Sequence, residues 1–219
     1  MRTLRYIFIC LIDTLFPRAC AGCGTHGTLL CAECLGSVPR ADQPVHPFIN
    51  ALFDYQNKII RHAIWRFKYR NARGFAKHFG ERLYEDIVGD LGDNLHISKN
   101  RTFLLVPIPL HKKRLRKRGY NQSELIVRAI IKHDAGNLFE FSNHALMRVR
   151  DTKSQARAEK RATRLENLRG AFRADCTLVR EKDIVLVDDV TTTGATLSEA
   201  RKALLKAGAR SVRAYAVAH

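Results

Sequence analysis

Two adjacent carboxylates and a run of hydroxyl side chains carry the clearest chemical signal in this 219-residue chain. Asp188 and Asp189 follow an apolar run at 184–187, and a threonine-rich turn containing Gly194 leads from them into a helical pattern. The free N–H groups of a helix N-terminus, together with threonine hydroxyls, suit a phosphate group. The carboxylates would repel a phosphate, so they suit sugar hydroxyls or the water shell of a magnesium ion. The block predicts a ribose 5-phosphate site; the alternative is that these residues simply cap a helix.

Four cysteines near the start of the chain are spaced as metal ligands. They are Cys20, Cys23, Cys31 and Cys34, two C-x-x-C pairs separated by seven residues. Two intervening residues let a tight turn direct both sulfurs at one metal, so the spacing predicts a structural four-cysteine zinc site. Two disulfides or a redox pair are the alternatives. We expect His26 to be an exposed loop residue rather than a ligand, and Cys10 and Cys176 to be packed thiols.

A cluster of cations follows a second apolar run, at 102–106, and the prolines at 107 and 109. The cations are Lys112, Lys113, Arg114, Arg116, Lys117 and Arg118. Ligands of open parallel sheets bind just beyond the carboxyl ends of the strands, so this run predicts a site for pyrophosphate or a nucleic-acid backbone. A solvated charged face is the alternative. A second basic stretch, 148–169, suggests a lid over an anionic ligand, a nucleic-acid track or a plain surface segment.

Charge and hydropathy narrow the range of partners. The formal net charge is +17 and the isoelectric point about 10.1, which favours nucleic acid, phosphorylated small molecules or an acidic membrane surface. No apolar run reaches the ~18 residues that a membrane-spanning helix needs. Apolar residues within 1–16 recur at helical spacing, which predicts an amphipathic helix packed on the protein body. A secretory signal is disfavoured because no cleavage site precedes Pro17, and a membrane-surface anchor is the other alternative.

Alternating strand and helix patterns supply the elements that would position these residues. Strands are predicted at 51–55, 102–106, 184–187 and 212–217, and helices at 59–67, 75–91 and after Asn121 or Ser123 as the cap. The last helix buries Leu197, Ala200, Leu204 and Leu205 and is closed by Gly208. A βαβ unit with an uninterrupted apolar strand is typical of an α/β fold with a parallel sheet.

The motifs together resemble known families. Residues 184–197 are similar to the 5-phosphoribosyl-1-pyrophosphate (PRPP) signature of type I phosphoribosyltransferases, and its combination with the four cysteines resembles the ComF family (ComFC and GntX-like proteins). The other matching segments are Val106-Pro-Ile-Pro109, Arg118-Gly-Tyr-Asn-Gln122, Thr152-x-x-Gln155, Asn167 and Gly170-Ala-Phe172. The resemblance implies a type I phosphoribosyltransferase-like parallel sheet flanked by helices. It divides the chain into 1–47, an N-terminal helix with the zinc module, and 48–219, the phosphoribosyltransferase-like domain.

The resemblance also implies ligands and roles. The implied PRPP-binding residues are Asp188 and Asp189 at the ribose hydroxyls and Thr191, Thr192, Thr193, Gly194, Ala195 and Thr196 at the 5-phosphate, with Mg²⁺ accompanying PRPP. Residues 107–109 would be the pyrophosphate loop and 148–164 the flexible lid, in which Ala158 replaces the larger apolar residue expected there.

The implied process is natural transformation, in which single-stranded DNA is moved into the cytoplasm after uptake. Such strands are held by a cationic groove with stacking aromatics, for which Trp65, Tyr69 and Tyr120 are candidates. Other DNA-uptake proteins are further implied partners, and the expected location is the cytoplasm, with the inner face of the membrane as an alternative. The alternative function is phosphoribosyl transfer from PRPP to an unidentified acceptor.

Overall fold

A five-stranded parallel sheet organises the part of the chain that the computed structural model describes, residues 18–42, 46–92, 102–150 and 168–219. In chain order the strands are β1 (Ile49–Phe53), β2 (Phe103–Pro107), β3 (Phe139–Phe141), β4 (Leu146–Arg148), β5 (Phe172–Ala174), β6 (Asp183–Val190) and β7 (Ser211–Ala218). The sheet has the order β1-β7-β6-β2-β3, and β4 and β5 form a separate antiparallel pair. Because all five strands are parallel, the central strand β6 and its neighbour β2 bring their carboxyl ends to one edge of the sheet.

Helices cover both faces of this sheet. In chain order the helices of the described residues are α1 (Ala32–Gly36), α2 (Lys58–Tyr69), α3 (Phe75–Gly92), α4 (Lys112–Arg118), α5 (Gln122–His133), α6 (Cys176–Val179) and α7 (Ala195–Lys206), of which α2, α3, α5 and α7 supply the main packing on the sheet. Val185 and Val187 of β6 pack in one apolar cluster with α2, α3 and α5, while Ile184 and Leu186 pack in another with α7. Because both faces are buried, the strand reads as an uninterrupted apolar run.

The predicted fold class is confirmed, with differences at the ends of the elements. Strand β6 continues through the two carboxylates to Val190, because Asp188 and Val190 remain in register with Ala216 and Ala218 of β7. Strand β1 lies two residues earlier than predicted. Leu205 is only partly buried, whereas Gly208 adopts φ +98° after the end of α7, as expected of the residue that closes a helix.

Several predictions fall outside the described residues or remain untested. The amphipathic segment 1–16, Cys10 and most of the basic stretch 148–169 are among the residues that the structure does not describe. The division at residues 47 and 48 stays a prediction. Among the described residues, no helix has both the length and the apolar character required to cross a bilayer.

Candidate functional site

A cavity of about 790 Å3 lies at the carboxyl edge of the sheet and brings two distant sequence motifs together. Asp188, Asp189 and Thr196 line it from β6 and α7. Three of the six clustered cations line it from α4, namely Arg114, Lys117 and Arg118. We call the last three the cavity-facing cations and Asp188 with Asp189 the acid pair. The cavity therefore presents a carboxylate wall and a cationic wall to one ligand.

The acid pair is electrostatically asymmetric. Asp189 forms an ion pair with Lys68, whose Nζ lies 2.8 Å from its Oδ1. Asp188 instead accepts hydrogen bonds at Oδ1 from the Ser123 hydroxyl (3.0 Å) and the Asp189 N–H (2.9 Å). Withdrawal from water and then repulsion by Asp189 raise the pKa of Asp188 to about 7, although Lys68 and the two hydrogen bonds oppose the shift. Of the two carboxylates, Asp188 is therefore the one whose charge is less compensated, and it lines the cavity.

Lys68 is the residue of this site that sequence reasoning missed. It lies near the end of α2, more than a hundred residues before the acid pair. Burial tends to lower the pKa of its ammonium, but the Asp189 charge and hydrogen bond outweigh burial and raise that pKa. No spacing pattern in the sequence links Lys68 to Asp189, because the two residues come together only when the chain folds.

The turn between β6 and α7 enters the helix through a glycine. Gly194 caps α7 at φ +71°, a left-handed conformation that favours glycine, and no side chain from this cap position bonds the first turn. Thr193 Oγ1 accepts from Ala195 N at 3.4 Å. Thr191 is buried, and its N–H donates to the Ala218 carbonyl at 3.0 Å, which fixes the start of the turn to β7. Of the eight predicted PRPP residues, three line the cavity and the others form this turn and the first residue of α7.

The basic run forms helix α4, and its cations divide between two faces. Arg114, Lys117 and Arg118 line the cavity, whereas Lys112, Lys113 and Arg116, the outer cations, are exposed and are not part of its lining. The division follows from helical spacing, because residues three and four apart share a face. Gly119, at φ +82°, ends the helix.

One guanidinium connects α4 to its neighbours. Arg118 Nη1 donates to Gln122 Oε1 at 2.7 Å, and its guanidinium lies 5.4 Å from the ring centre of Tyr69. The cation is therefore held in the cavity wall by α5 and by the end of α2.

Residues 142–219, which include the acid pair and the threonine turn, match the family model of the phosphoribosyl transferase domain. This stretch therefore resembles a phosphoribosyl transferase domain. It is 29% identical over 214 residues to the DNA utilization protein YhgH of Escherichia coli (strain K12), covering 90% of this chain and 82% of that protein. It is 29% identical over 209 residues to Competence protein F of Haemophilus influenzae, covering 91% and 83%. The predicted resemblance to the ComF family is confirmed.

A solved structure is also similar to part of this chain. It is the glutamine phosphoribosylpyrophosphate (PRPP) amidotransferase from B. subtilis complexed with ADP and GMP, with 19% identity and a TM-score of 0.36 over 65% of this chain and 26% of that one.

The four-cysteine segment packs directly against helix α2. Leu30 and Val38 join the apolar cluster that contains the buried face of α2. Arg66 of α2 donates to the Ala19 carbonyl at 2.6 Å, and His62 Nδ1 lies 3.0 Å from the Ala21 carbonyl. The segment thus shares a core with the helix that carries Lys68 into the cavity.

The four cysteine sulfurs lie close enough together to hold one metal ion. All four Sγ atoms lie within 4.8 Å of one another, and Cys31 Sγ is 3.7 Å from the sulfurs of both Cys20 and Cys23. A tetrahedron with metal–sulfur bonds of ~2.3 Å has sulfur–sulfur edges of ~3.8 Å. The four thiols are free of disulfides, and His26 is exposed and not part of the cluster. The cluster could hold a metal such as zinc.

Local backbone groups favour a thiolate at the first ligand. Burial opposes ionisation of Cys20, but N–H groups of Cys31 and Gly22, at 3.3 and 3.4 Å from its sulfur, help to lower the pKa of this thiol to about 6. The absence of a side chain at Gly22 also leaves room for the second cysteine pair, since a Cβ there would lie 2.6 Å from the sulfur of Cys34. The cradle is therefore shaped around the four sulfurs.

Two predictions about single residues are wrong. Tyr120 is buried, and its hydroxyl donates to the Phe67 carbonyl, so it offers no face for stacking. Its apolar neighbours on α2 and α3 draw the ring into the core. Cys176 is exposed at the start of α6 rather than packed, because only Val179 of this short helix is buried.

Proposed function

We propose that this protein binds PRPP or a related phosphoribosyl ligand in the cavity and supports a competence-related process by handling incoming single-stranded DNA. The observation that carries the proposal is the cavity itself, which joins the acid pair and Thr196 to the cavity-facing cations. A phosphoribosyl pyrophosphate has a polyol centre between two anionic ends. The carboxylate wall and the cationic wall match that distribution of charge.

Each part of the ligand would meet a group that suits it. The acid pair would accept hydrogen bonds from the ribose hydroxyls, and the turn 191–196 would hold the 5-phosphate at the N-terminus of α7. The cavity-facing cations would bind the pyrophosphate. Mg²⁺, when bound with the ligand, supplies further neutralisation of the pyrophosphate charge, and the acid pair would contact its water shell. Zinc on the four cysteines would stabilise the segment packed on α2.

The role in competence rests on relatives and on charge. One relative is named a competence protein and another a DNA utilization protein, and the chain has a net charge of +17. Single-stranded DNA binding should weaken with salt, with a slope of about −0.7 per phosphate contact on logarithmic axes. Fluorescence anisotropy with a labelled strand measures this slope, and an affinity indifferent to salt contradicts the DNA-handling part of the proposal.

Isothermal titration calorimetry tests the ligand. PRPP with Mg²⁺ should bind more tightly than ribose 5-phosphate or pyrophosphate alone, because each of these contacts only part of the cavity. Thr196→Val should weaken PRPP binding about tenfold, since it removes a hydroxyl that lines the cavity. Thr177→Val on the exposed helix α6 is the matched control. Absence of PRPP binding, or equal affinity for ribose 5-phosphate, contradicts the proposal.

Phosphoribosyl transfer to an acceptor is the second candidate function. Tyr69 and Asn71 also line the cavity, so an acceptor could bind against them beside the ribose. The transition state would carry positive charge on the ribose, which the nearby carboxylates stabilise, while the cavity-facing cations stabilise departing pyrophosphate. Pyrophosphate release across a panel of nucleobases and amines tests this activity. Turnover that Asp188→Ala abolishes supports it, and no turnover with any acceptor argues against it.

A further inference from the structure

Three exposed side-chain rings lie in a row along helix α2, beside the proposed phosphoribosyl cavity. The ring centres of His62 and Trp65 are 6.4 Å apart, and those of Trp65 and Tyr69 are 6.5 Å apart. Trp65 is 43% exposed and Tyr69 64% exposed, which is unusual for rings that could have packed in the core. The spacing i, i+3, i+7 places all three on one side of the helix. We call His62, Trp65 and Tyr69 the aromatic row.

Cations accompany the aromatic row throughout. The guanidinium of Arg70 lies 5.0 Å from the ring centre of Trp65, and that of Arg118 lies 5.4 Å from the ring centre of Tyr69. The exposed residues of α2 and its cap are Lys58, Arg61, His62, Trp65, Tyr69 and Arg70, and the helix sequence contains no acid. This combination of ring faces and positive charge suits a partner with flat bases and a phosphate backbone.

The aromatic row connects two features that otherwise lie apart. His62 lies 3.0 Å from the Ala21 carbonyl of the cysteine segment, and Tyr69 lines the cavity that contains the acid pair. A strand lying on α2 therefore runs from the cysteine segment to the mouth of the cavity. The exposed side of the helix contains no leucine, isoleucine, valine or phenylalanine, so it lacks the broad apolar stripe with which an amphipathic helix enters a membrane.

We infer that the aromatic row is a stacking surface for the bases of single-stranded DNA, and that it leads the strand to the phosphoribosyl cavity. This inference rests on the proposed function only for the identity of the strand. It places the base contacts on α2, whereas half of the predicted DNA-binding cations of α4 line the cavity. Stacking tolerates any base because every base has a π-face, so recognition at this row is independent of sequence.

Trp65 allows a direct test, because it is the only tryptophan in the sequence. A short oligothymidylate titrated into the full chain should quench its fluorescence, whereas an abasic strand of equal length should bind more weakly and leave the emission largely unchanged. Equal quenching by both strands, or no quenching by either, overturns the inference. Quenching by anionic phospholipid vesicles but not by the oligothymidylate assigns the row to a membrane and also overturns it.

Variants separate stacking from charge. Trp65→Leu should lower the affinity for a labelled oligothymidylate by about tenfold, read by anisotropy, while Leu178→Ala, an exposed apolar truncation on α6 across the sheet, should leave it unchanged. Thermal melts establish that both variants fold. An unaltered affinity in Trp65→Leu overturns the inference.

The binding of PRPP can be tested independently of the aromatic row. Calorimetry with PRPP on the unmodified chain tests the cavity alone. Quenching by DNA without PRPP binding sinks the proposed ligand and retains the aromatic row. PRPP binding without base-dependent quenching supports the proposed ligand and overturns the role of the aromatic row.

Discussion

Replacing each carboxylate of the acid pair by its amide should change stability in opposite directions. Burial and repulsion raise the pKa of Asp188 from its usual 3.8 to about 7, so the folded state holds this proton more tightly than the unfolded chain does. Stability should therefore fall as pH rises from about 4 to about 7 and remain lowered above that. A shift of this size costs the folded protein about 4 kcal/mol when the carboxylate is fully ionised.

Asp188→Asn removes that cost but keeps an acceptor for Ser123 and for the neighbouring N–H. We expect it to stabilise the protein by about 2 to 4 kcal/mol at pH 8, or roughly 5 to 15 °C in Tm, and to flatten this part of the pH dependence. Asp189→Asn leaves the Lys68 ammonium buried without its ion-pair partner. It should destabilise the protein by about 2 to 4 kcal/mol, with Asp188 compensating in part.

Differential scanning fluorimetry between about pH 5 and pH 8 measures whether each variant raises or lowers Tm. Calorimetry with PRPP should show weaker binding in both, since each loses a carboxylate that faces the cavity. Variants that shift Tm in the same direction, or an unaltered pH slope in Asp188→Asn, would refute the assignment of Asp188 as the uncompensated charge.

Three further perturbations follow from the site. Neutralising the three cavity-facing cations to glutamine should weaken PRPP binding by at least tenfold in calorimetry, whereas neutralising the three outer cations should leave it within a few-fold; equal losses would contradict the division of α4. Gly194→Ala should cost about 1 kcal/mol of stability and reduce PRPP affinity, because φ is +71° there; a Tm equal to that of the unmodified chain would argue against this conformation. Removal of zinc by a chelator should lower Tm and be accompanied by release of one metal ion per chain in elemental analysis, while a metal-free protein with undiminished Tm would exclude a structural metal.

The features that could be predicted from the sequence are those in which a short segment fixes its own geometry. The unit β6–turn–α7 is one, because an apolar strand, a glycine with a left-handed backbone and a helix stripe follow one another within thirty residues. The cysteine cluster is another, since the spacing of the two pairs brings the sulfurs together. In both, the determining contacts are local.

The features that could not be predicted depend on how distant elements meet. Lys68 and Tyr69 reach the cavity because the end of α2 lies beside the acid pair. The sequence of α2 alone does not indicate that position. The burial of Tyr120 likewise depends on distant residues, since its ring packs in the core that contains Phe67 and Phe79. In the sequence the basic run reads as one cluster, whereas the helix that it forms places its cations on two different faces.

The division of charge in the cavity also bears on whether DNA and PRPP bind together. Arg118 contacts Tyr69 and Gln122 and lines the cavity, so it belongs both to the wall proposed for pyrophosphate and to the end of the aromatic row. A strand that reaches Tyr69 brings its phosphates to the same guanidinium that pyrophosphate would occupy. Like charges at that distance oppose one another strongly in a partly desolvated cavity. We therefore expect PRPP to displace the end of the strand at Tyr69 while the bases at Trp65 remain stacked, which makes the two ligands antagonistic without being mutually exclusive.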